Sequence, residues 1–247
     1  MSRTSYHAQV ARSYRVARQV PLPGLRQWRR AVERYASPAP GMTIVDVGAG
    51  TGWFATAFAE WFGVQVLAVE PSADMRAVIP VHPSVTVLNG DAATMPIPDG
   101  SADAGWLSTV VHHIPDLPAA ARELRRVLRP GAPVLIRQAF PERADGITMV
   151  RFFPETRRLL DSYPTVAQVR QAFATAGFAQ VALAPVAQQT ADNLQWYAER
   201  LGHARQADTL LRSLTDDEFA AGSERVRAAA RDESEPVVDQ LDLLVLR

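Results

Sequence analysis

The chain has 247 residues, 47% of them hydrophobic, and its 26 basic residues, every one an arginine, balance 26 Asp and Glu to a formal net charge of zero. Such a composition suffices for one domain with appendages, and the neutrality favours a small-molecule partner over nucleic acid or an anionic membrane. Cysteine and lysine do not occur, which excludes disulfides, thiolate catalysis, Cys-type zinc sites and lysine-nucleophile chemistry.

No apolar run approaches the length of a membrane span, and Met1-Ser2-Arg3-Thr4-Ser5 lacks the apolar core of a signal peptide, so a cytoplasmic location is expected. Residues 5–18 and 22–36 read as two helices divided by Pro21-Leu22-Pro23-Gly24. Residues 1–36 hold eight arginines against the single acid Glu33, whereas residues 208–242 carry a surplus of Asp and Glu. These are either two solvated faces or two ends that attract each other, within one chain or across a dimer. Alternating patterns then predict strands at 43–47, 64–69, 85–88, 103–107 and 132–138, with helices near 53–62, 72–79 and 117–129 between them. That alternation means a parallel sheet wound on both faces. Phe140-Pro141-Glu142 breaks it, and residues 145–163 have no clear period. A helix at 165–176 stops at Gly177, a strand follows from Phe178 to Ala184, and residues 191–231 read as helical before a last apolar strand at 239–247.

The first strand ends in Ile44-Val45-Asp46-Val47-Gly48-Ala49-Gly50-Thr51-Gly52. Glycines in this pattern admit positive φ and let a ligand lie against the main chain, and the helix from Trp53 aims its N-terminal amides at the same place. The Gly-x-Gly-x-Gly spacing fits the dinucleotide fingerprint poorly, which argues against an NAD-dependent oxidoreductase. The second strand ends in Glu70, about 20 residues beyond the central glycine, where a carboxylate grips ribose hydroxyls. The third runs into Asn89-Gly90-Asp91-Ala92. Asp46, Glu70 and Asp91 thus fall along one sheet edge, the edge at which open α/β sheets bind ligands.

With Glu123-Leu124-Arg125-Arg126-Val127-Leu128-Arg129-Pro130-Gly131 ahead of the fifth strand, the chain resembles the class I S-adenosylmethionine-dependent methyltransferases of type 11, the small-molecule branch that includes the ubiquinone and menaquinone C-methylases. The likeness is dense from about residue 40 to 140. It implies an α/β fold: a doubly wound, Rossmann-like seven-stranded sheet whose antiparallel last strand lies between the fifth and sixth. It also implies an N-terminal helical lid (1–36) and a methyltransferase domain (40–247), with an acceptor-site insertion at about 141–163 and a helical one at about 191–231.

The resemblance assigns S-adenosylmethionine contact to Gly48, Gly50 and Gly52, and Ser108 joins them. Asp46 either orients the loop's own amides or meets the methionine amino group. Glu70 accepts from both ribose hydroxyls. Asp91 receives the adenine amine, with Ala92 supplying a backbone amide, or else caps a turn. Tyr6 and Tyr14 share one stripe of the first helix, where they pack or close over the cofactor. His112 and His113 follow the fourth strand as candidate bases, or pack against the cofactor. Adjacent histidines diverge, so no metal site is expected. Trp53, Trp106, Arg137, Phe140, Arg151, Phe152 and Phe153, with Tyr163, are candidates to line an acceptor pocket or to serve the core. The expected reaction is methyl transfer to an O, N or C nucleophile of a small organic molecule, natural-product intermediates included, by a monomer or homodimer. The alternatives are a related scaffold guiding a cyclisation or rearrangement, and a non-catalytic cofactor-binding module.

Overall fold

The computed structural model describes residues 22–247. A helix, α1 (Leu22–Ala36), leads into β1 (Thr43–Val47), α2 (Trp53–Phe62), β2 (Gln65–Val69), α3 (Ala73–Arg76), β3 (Val85–Leu88), β4 (Ala104–Ser108), α4 (Leu117–Val127) and β5 (Val134–Gln138). The seven strands order as β3-β2-β1-β4-β5-β7-β6, with β6 at Gln180–Ala191 and β7 at Val237–Leu246. The first five run parallel, and β7 lies antiparallel to both β5 and β6. The chain walks outward from β1 to β3 and then returns to place β4 on the other side of β1. The carboxyl ends of β1 and β4 therefore flank the crevice where strand order reverses.

Both faces of the sheet are buried because successive strand residues point to opposite sides. Ile44, Val66, Trp106 and Leu243 join a cluster with Trp28, Phe54 and Phe58. Val45, Leu107, Ile136 and Leu244 join another with Leu124, Val127 and Phe173. Local signals end the helices. Gly52 and Gly63, at φ 74° and 64°, bracket α2, and Asp116 caps α4 by accepting from the Ala119 N–H at 2.8 Å. α3 covers only half of the expected 72–79, because Pro80 disfavours helical geometry at Ile79 and the turn closes by three-residue bonds.

The helix expected at 165–176 forms as α7 (Val166–Ala174), started by a Thr165–Gln168 capping box, and Gly177 takes φ 81° beyond it. The irregular segment before it folds into short pieces, among them α5 (Thr148–Phe152) and α6 (Arg157–Leu160). β6 runs on to Ala191, seven residues past the predicted end. Pro185 halts the sequence pattern, but β6 is the edge strand and needs no donor there. The expected helical stretch 191–231 resolves into α8 (Leu194–Ala207), α9 (Thr209–Arg212) and α10 (Asp216–Ala229), which share a satellite core with Phe152 and Phe153.

The expected lid divides at residue 21. Residues 1–21, with Tyr6 and Tyr14, lie outside the described residues. Helix α1 is anchored: Trp28 is fully buried, meets Trp106 edge-on at 6.1 Å, and donates from Nε1 to Gln188 Oε1 at 2.9 Å. The acidic tail segment pairs with other arginines than those of α1. Arg151 holds Glu233, Arg158 holds Glu218 and Arg143 holds Asp242, so among the described residues these acids pair with the insertion at 141–163, and the attraction between the two ends, one of the two alternatives, is not seen between them and α1.

Candidate functional site

The glycine loop delivers the local geometry its sequence demands. Gly48, Gly50 and Gly52 take φ of 70°, 58° and 74°, values at which any side chain is strained. A Cβ on Gly48 would strike Val110 at 2.4 Å, and one on Gly52 would strike Ile79 at 2.5 Å. At Gly50 it would meet nothing within 4 Å among the described residues. Two glycines let the protein pack against the loop, and the central one faces a cavity.

That cavity, about 230 Å³, brings together Asp46, Gly48, Gly50, Trp53, Ser108, His112, His113 and Arg137 of the expected residues. Glu70, just past β2, borders it through the loop, and Asp91 lies three residues past β3, outside its lining. The Glu70 carboxylate accepts the N–H groups of Gly50 (2.9 Å) and Ser72 (2.8 Å), tying the loop to the start of α3. Burial raises its pKa, opposed by those two N–H groups and by Arg76. Asp91 Oδ1 accepts from the Ala93 N–H at 2.9 Å, the turn-capping arrangement, and Ala92 is buried behind it.

Asp46 is 2% exposed, and its Oδ2 has no hydrogen-bond partner among the described residues. Burial, with Glu70 nearby, pushes its carboxyl up to about 8. A buried acceptor left without a donor costs about 1–3 kcal/mol, and such groups mark functional sites. The sign of the pH effect follows. A carboxyl that binds its proton more tightly when folded contributes stability below its ordinary 3.8 and loses that contribution as pH rises through about 8. Asp46→Asn is therefore expected to be more stable than the parent in thermal melts above pH 8, to match it near pH 4, and to bind the site's ligand more weakly. A parent whose stability does not fall over that window would refute the buried carboxyl.

The opposite wall is built on Arg137 at the end of β5. Its Nη1 donates to Thr109 Oγ1 at 2.6 Å and Ser108 Oγ at 3.2 Å, its Nη2 donates to Gln188 Oε1 at 2.6 Å, and its guanidinium lies over the Trp28 ring at 5.0 Å. Thr109 holds φ 54°, unusual for a β-branched residue, where its own N–H donates to the Arg137 carbonyl at 2.8 Å. His112 is half-buried and His113 exposed. The His112 ring stacks on Tyr163 at 4.0 Å and 10°, and its Nδ1 lies 3.3 Å from Gln138 Nε2.

Several expected pocket residues sit elsewhere. Trp106 is buried beneath the sheet, packed between Trp28, Phe54 and Phe58. Phe140 is fully buried in the other core. Phe152 and Phe153 hold the satellite core, where Phe153 stacks on Phe219 at 5.7 Å against Gly222. Arg151 is on the surface, paired with Glu233. In each case the side chain meets an apolar partner or a carboxylate that is distant in sequence, and such pairings leave no local signal. The cavity instead recruits Gln138, Gln188, Thr190, Tyr197, Asp208 and Asp239. Asp239 ties the insertion to β6 by accepting from the Thr148 N–H and the Thr190 hydroxyl, both at 2.7 Å. Burial, then Asp239 and Asp208, raise the Tyr197 phenol. Gln138 had a readable signal, being polar at the end of the apolar run Val134-Leu135-Ile136. The rest, from β6 onward, had none.

A methyltransferase-domain family profile matches residues 45–136. A 2-methyl-6-phytyl-1,4-hydroquinone methyltransferase from Synechocystis is 34% identical over 138 residues, 53% of this chain and 43% of that one. The ubiquinone/menaquinone biosynthesis C-methyltransferase UbiE of a Caulobacter strain is 34% identical over 51% of this chain and 56% of its own. This chain thus spans about half the length of the curated relatives it matches. Among solved structures, a candidate methyltransferase of an antibiotic biosynthesis pathway from Anabaena variabilis superposes with a TM-score of 0.73 at 20% identity, covering 89% of this chain and 96% of that one. The [4+2]-cyclase SpnF gives 0.61 at 22% identity, covering 89% and 79%. These two likenesses are of fold.

Proposed function

We propose that residues 45–136, which match the methyltransferase-domain profile, bind S-adenosylmethionine, and that the chain transfers a methyl group from it to a small organic acceptor. The observation that carries the reading is the pairing, at one switch point, of a glycine open to the cavity with the buried Asp46 Oδ2, which has no partner among the described residues. A cationic amino group is the donor such an oxygen suits. Glu70 keeps lone pairs for ribose hydroxyls beyond the two N–H bonds it accepts, and Asp91 and Ala92 would take the adenine edge.

Bound there, S-adenosylmethionine supplies an electrophilic methyl group. The protein's part is alignment and water exclusion, and positioning alone is worth several kcal/mol. Ser108, His112 and Arg137 border the acceptor side. Its walls, Ile147, Met149, Leu160, Leu210 and Leu241, suit a largely apolar molecule with a few polar substituents. They lie beyond residue 136, where the family match ends, so the acceptor is a property of this chain and not of the family as a whole. Radiolabel from methyl-labelled S-adenosylmethionine should appear in an extracted organic product when quinols and other phenols are supplied. Cofactor binding with no label transferred to any of them would favour the scaffold reading.

Glu70→Ala is expected to weaken S-adenosylhomocysteine binding by about 1–3 kcal/mol, since it removes a charged acceptor and frees the loop's Gly50 N–H. Unchanged affinity by calorimetry would take Glu70 out of the site.

A further inference from the structure

We propose that Gln138 fixes His112 in the tautomer that carries its proton on Nε2, so that His112 acts as a hydrogen-bond donor to an anionic oxygen of the acceptor and not as a general base. This inference rests on the methyl-transfer reading for the acceptor and on geometry alone for the tautomer. Gln138 is 1% exposed, and its Nε2 lies 3.3 Å from His112 Nδ1 and 3.3 Å from the Ala139 carbonyl oxygen. A carbonyl only accepts, so the nitrogen end of the amide must face it. Turned round, the amide would set Oε1 against that oxygen. The same nitrogen therefore donates to Nδ1, which must carry a lone pair, and in a neutral imidazole the proton then belongs to Nε2.

The ring has little freedom to escape this assignment. Tyr163 stacks on one side at 4.0 Å and 10°, and the His113 ring packs at 4.0 Å and 45°. A ligand oxygen that reaches Nε2 meets an N–H. The Arg137 guanidinium, 5% exposed on the same cavity, adds positive charge to that wall. Together they suit an acceptor that reacts as a phenolate or enolate, its proton already lost to solvent. The electron pair of that oxygen, or of the carbon conjugated with it, forms the new bond to the methyl carbon. The pair of the breaking C–S bond remains on sulfur, and His112 keeps its proton throughout.

Two measurements decide the matter. Long-range nitrogen–proton correlation spectra of 15N-histidine-labelled protein, with His112 assigned by its loss in His112→Gln, should show Nε2 protonated and Nδ1 bare. The reverse pattern would overturn the tautomer, and His112→Leu supplies the same assignment if His112→Gln fails to fold. 4-Nitrophenolate, whose absorption shifts when its oxygen accepts a hydrogen bond, should bind wild type with that shift. His112→Gln keeps a donor but cannot serve as a base, and should hold the dye within a few-fold. His112→Leu should lose about tenfold or more. Equal loss in both variants, or no binding by wild type, would overturn the donor role. The spectra require no cofactor, so a protein with the expected tautomer that fails to bind S-adenosylhomocysteine refutes the methyl-transfer reading alone.

Discussion

Gly50→Val is expected to abolish S-adenosylhomocysteine binding in calorimetry while a cooperative melting transition survives. Gly50 sits at φ 58°, and a Cβ there would meet no atom of the described residues within 4 Å. The branched side chain would therefore stand in the cavity that Gly50 lines, where a ligand must lie against the main chain. The fold bears only the left-handed strain of about 1–2 kcal/mol, about 2–8 °C for a domain of this size. The neighbouring glycines supply the contrast. Valine at Gly48 collides with Val110, and at Gly52 with Ile79 in the core, so both variants should lose stability together with binding. If Gly50→Val binds normally, the loop is only a turn.

Trp28→Ala should lower stability to urea by about 3–5 kcal/mol, the range for removing a large buried aromatic. The indole is fully buried, meets Trp106 edge-on, lies beneath the Arg137 guanidinium, and donates to Gln188. Its removal opens a cavity under the arginine that helps form the acceptor wall, so the position of Arg137 is expected to suffer as well. A loss below 1 kcal/mol would return α1 to the status of a detachable lid. The same measurement thus tests how much of residues 1–36 belongs to the core.

What the sequence determined by itself is the part of this protein that local chemistry encodes. The strands from β1 to β5 alternate or run apolar and fall within two residues of their expected bounds, and the glycines at 48, 50 and 52 mark backbone that only glycine adopts freely. The acids at 46, 70 and 91 close their strands at positions counted along the chain, so their convergence on one sheet edge follows from parallel winding. Even the placement of β7 between β5 and β6 followed from a family resemblance carried by those motifs.

Tertiary structure decided the proposed acceptor side. An aromatic residue in an irregular segment wants burial, but its sequence does not say against what. Phe152 and Phe153 found α10, Phe140 found α4 and α7, and Tyr163 found His112. Arg137 became part of the cavity because Gln188, fifty-one residues away, arrives on an edge strand whose length Pro185 concealed. Gln138 and His112, likewise, meet only because β5 lies beside β4 in the sheet. Cofactor chemistry is repeated locally and can be read along the chain. The acceptor wall is assembled from contacts of long sequence separation, and only the folded packing brings them together.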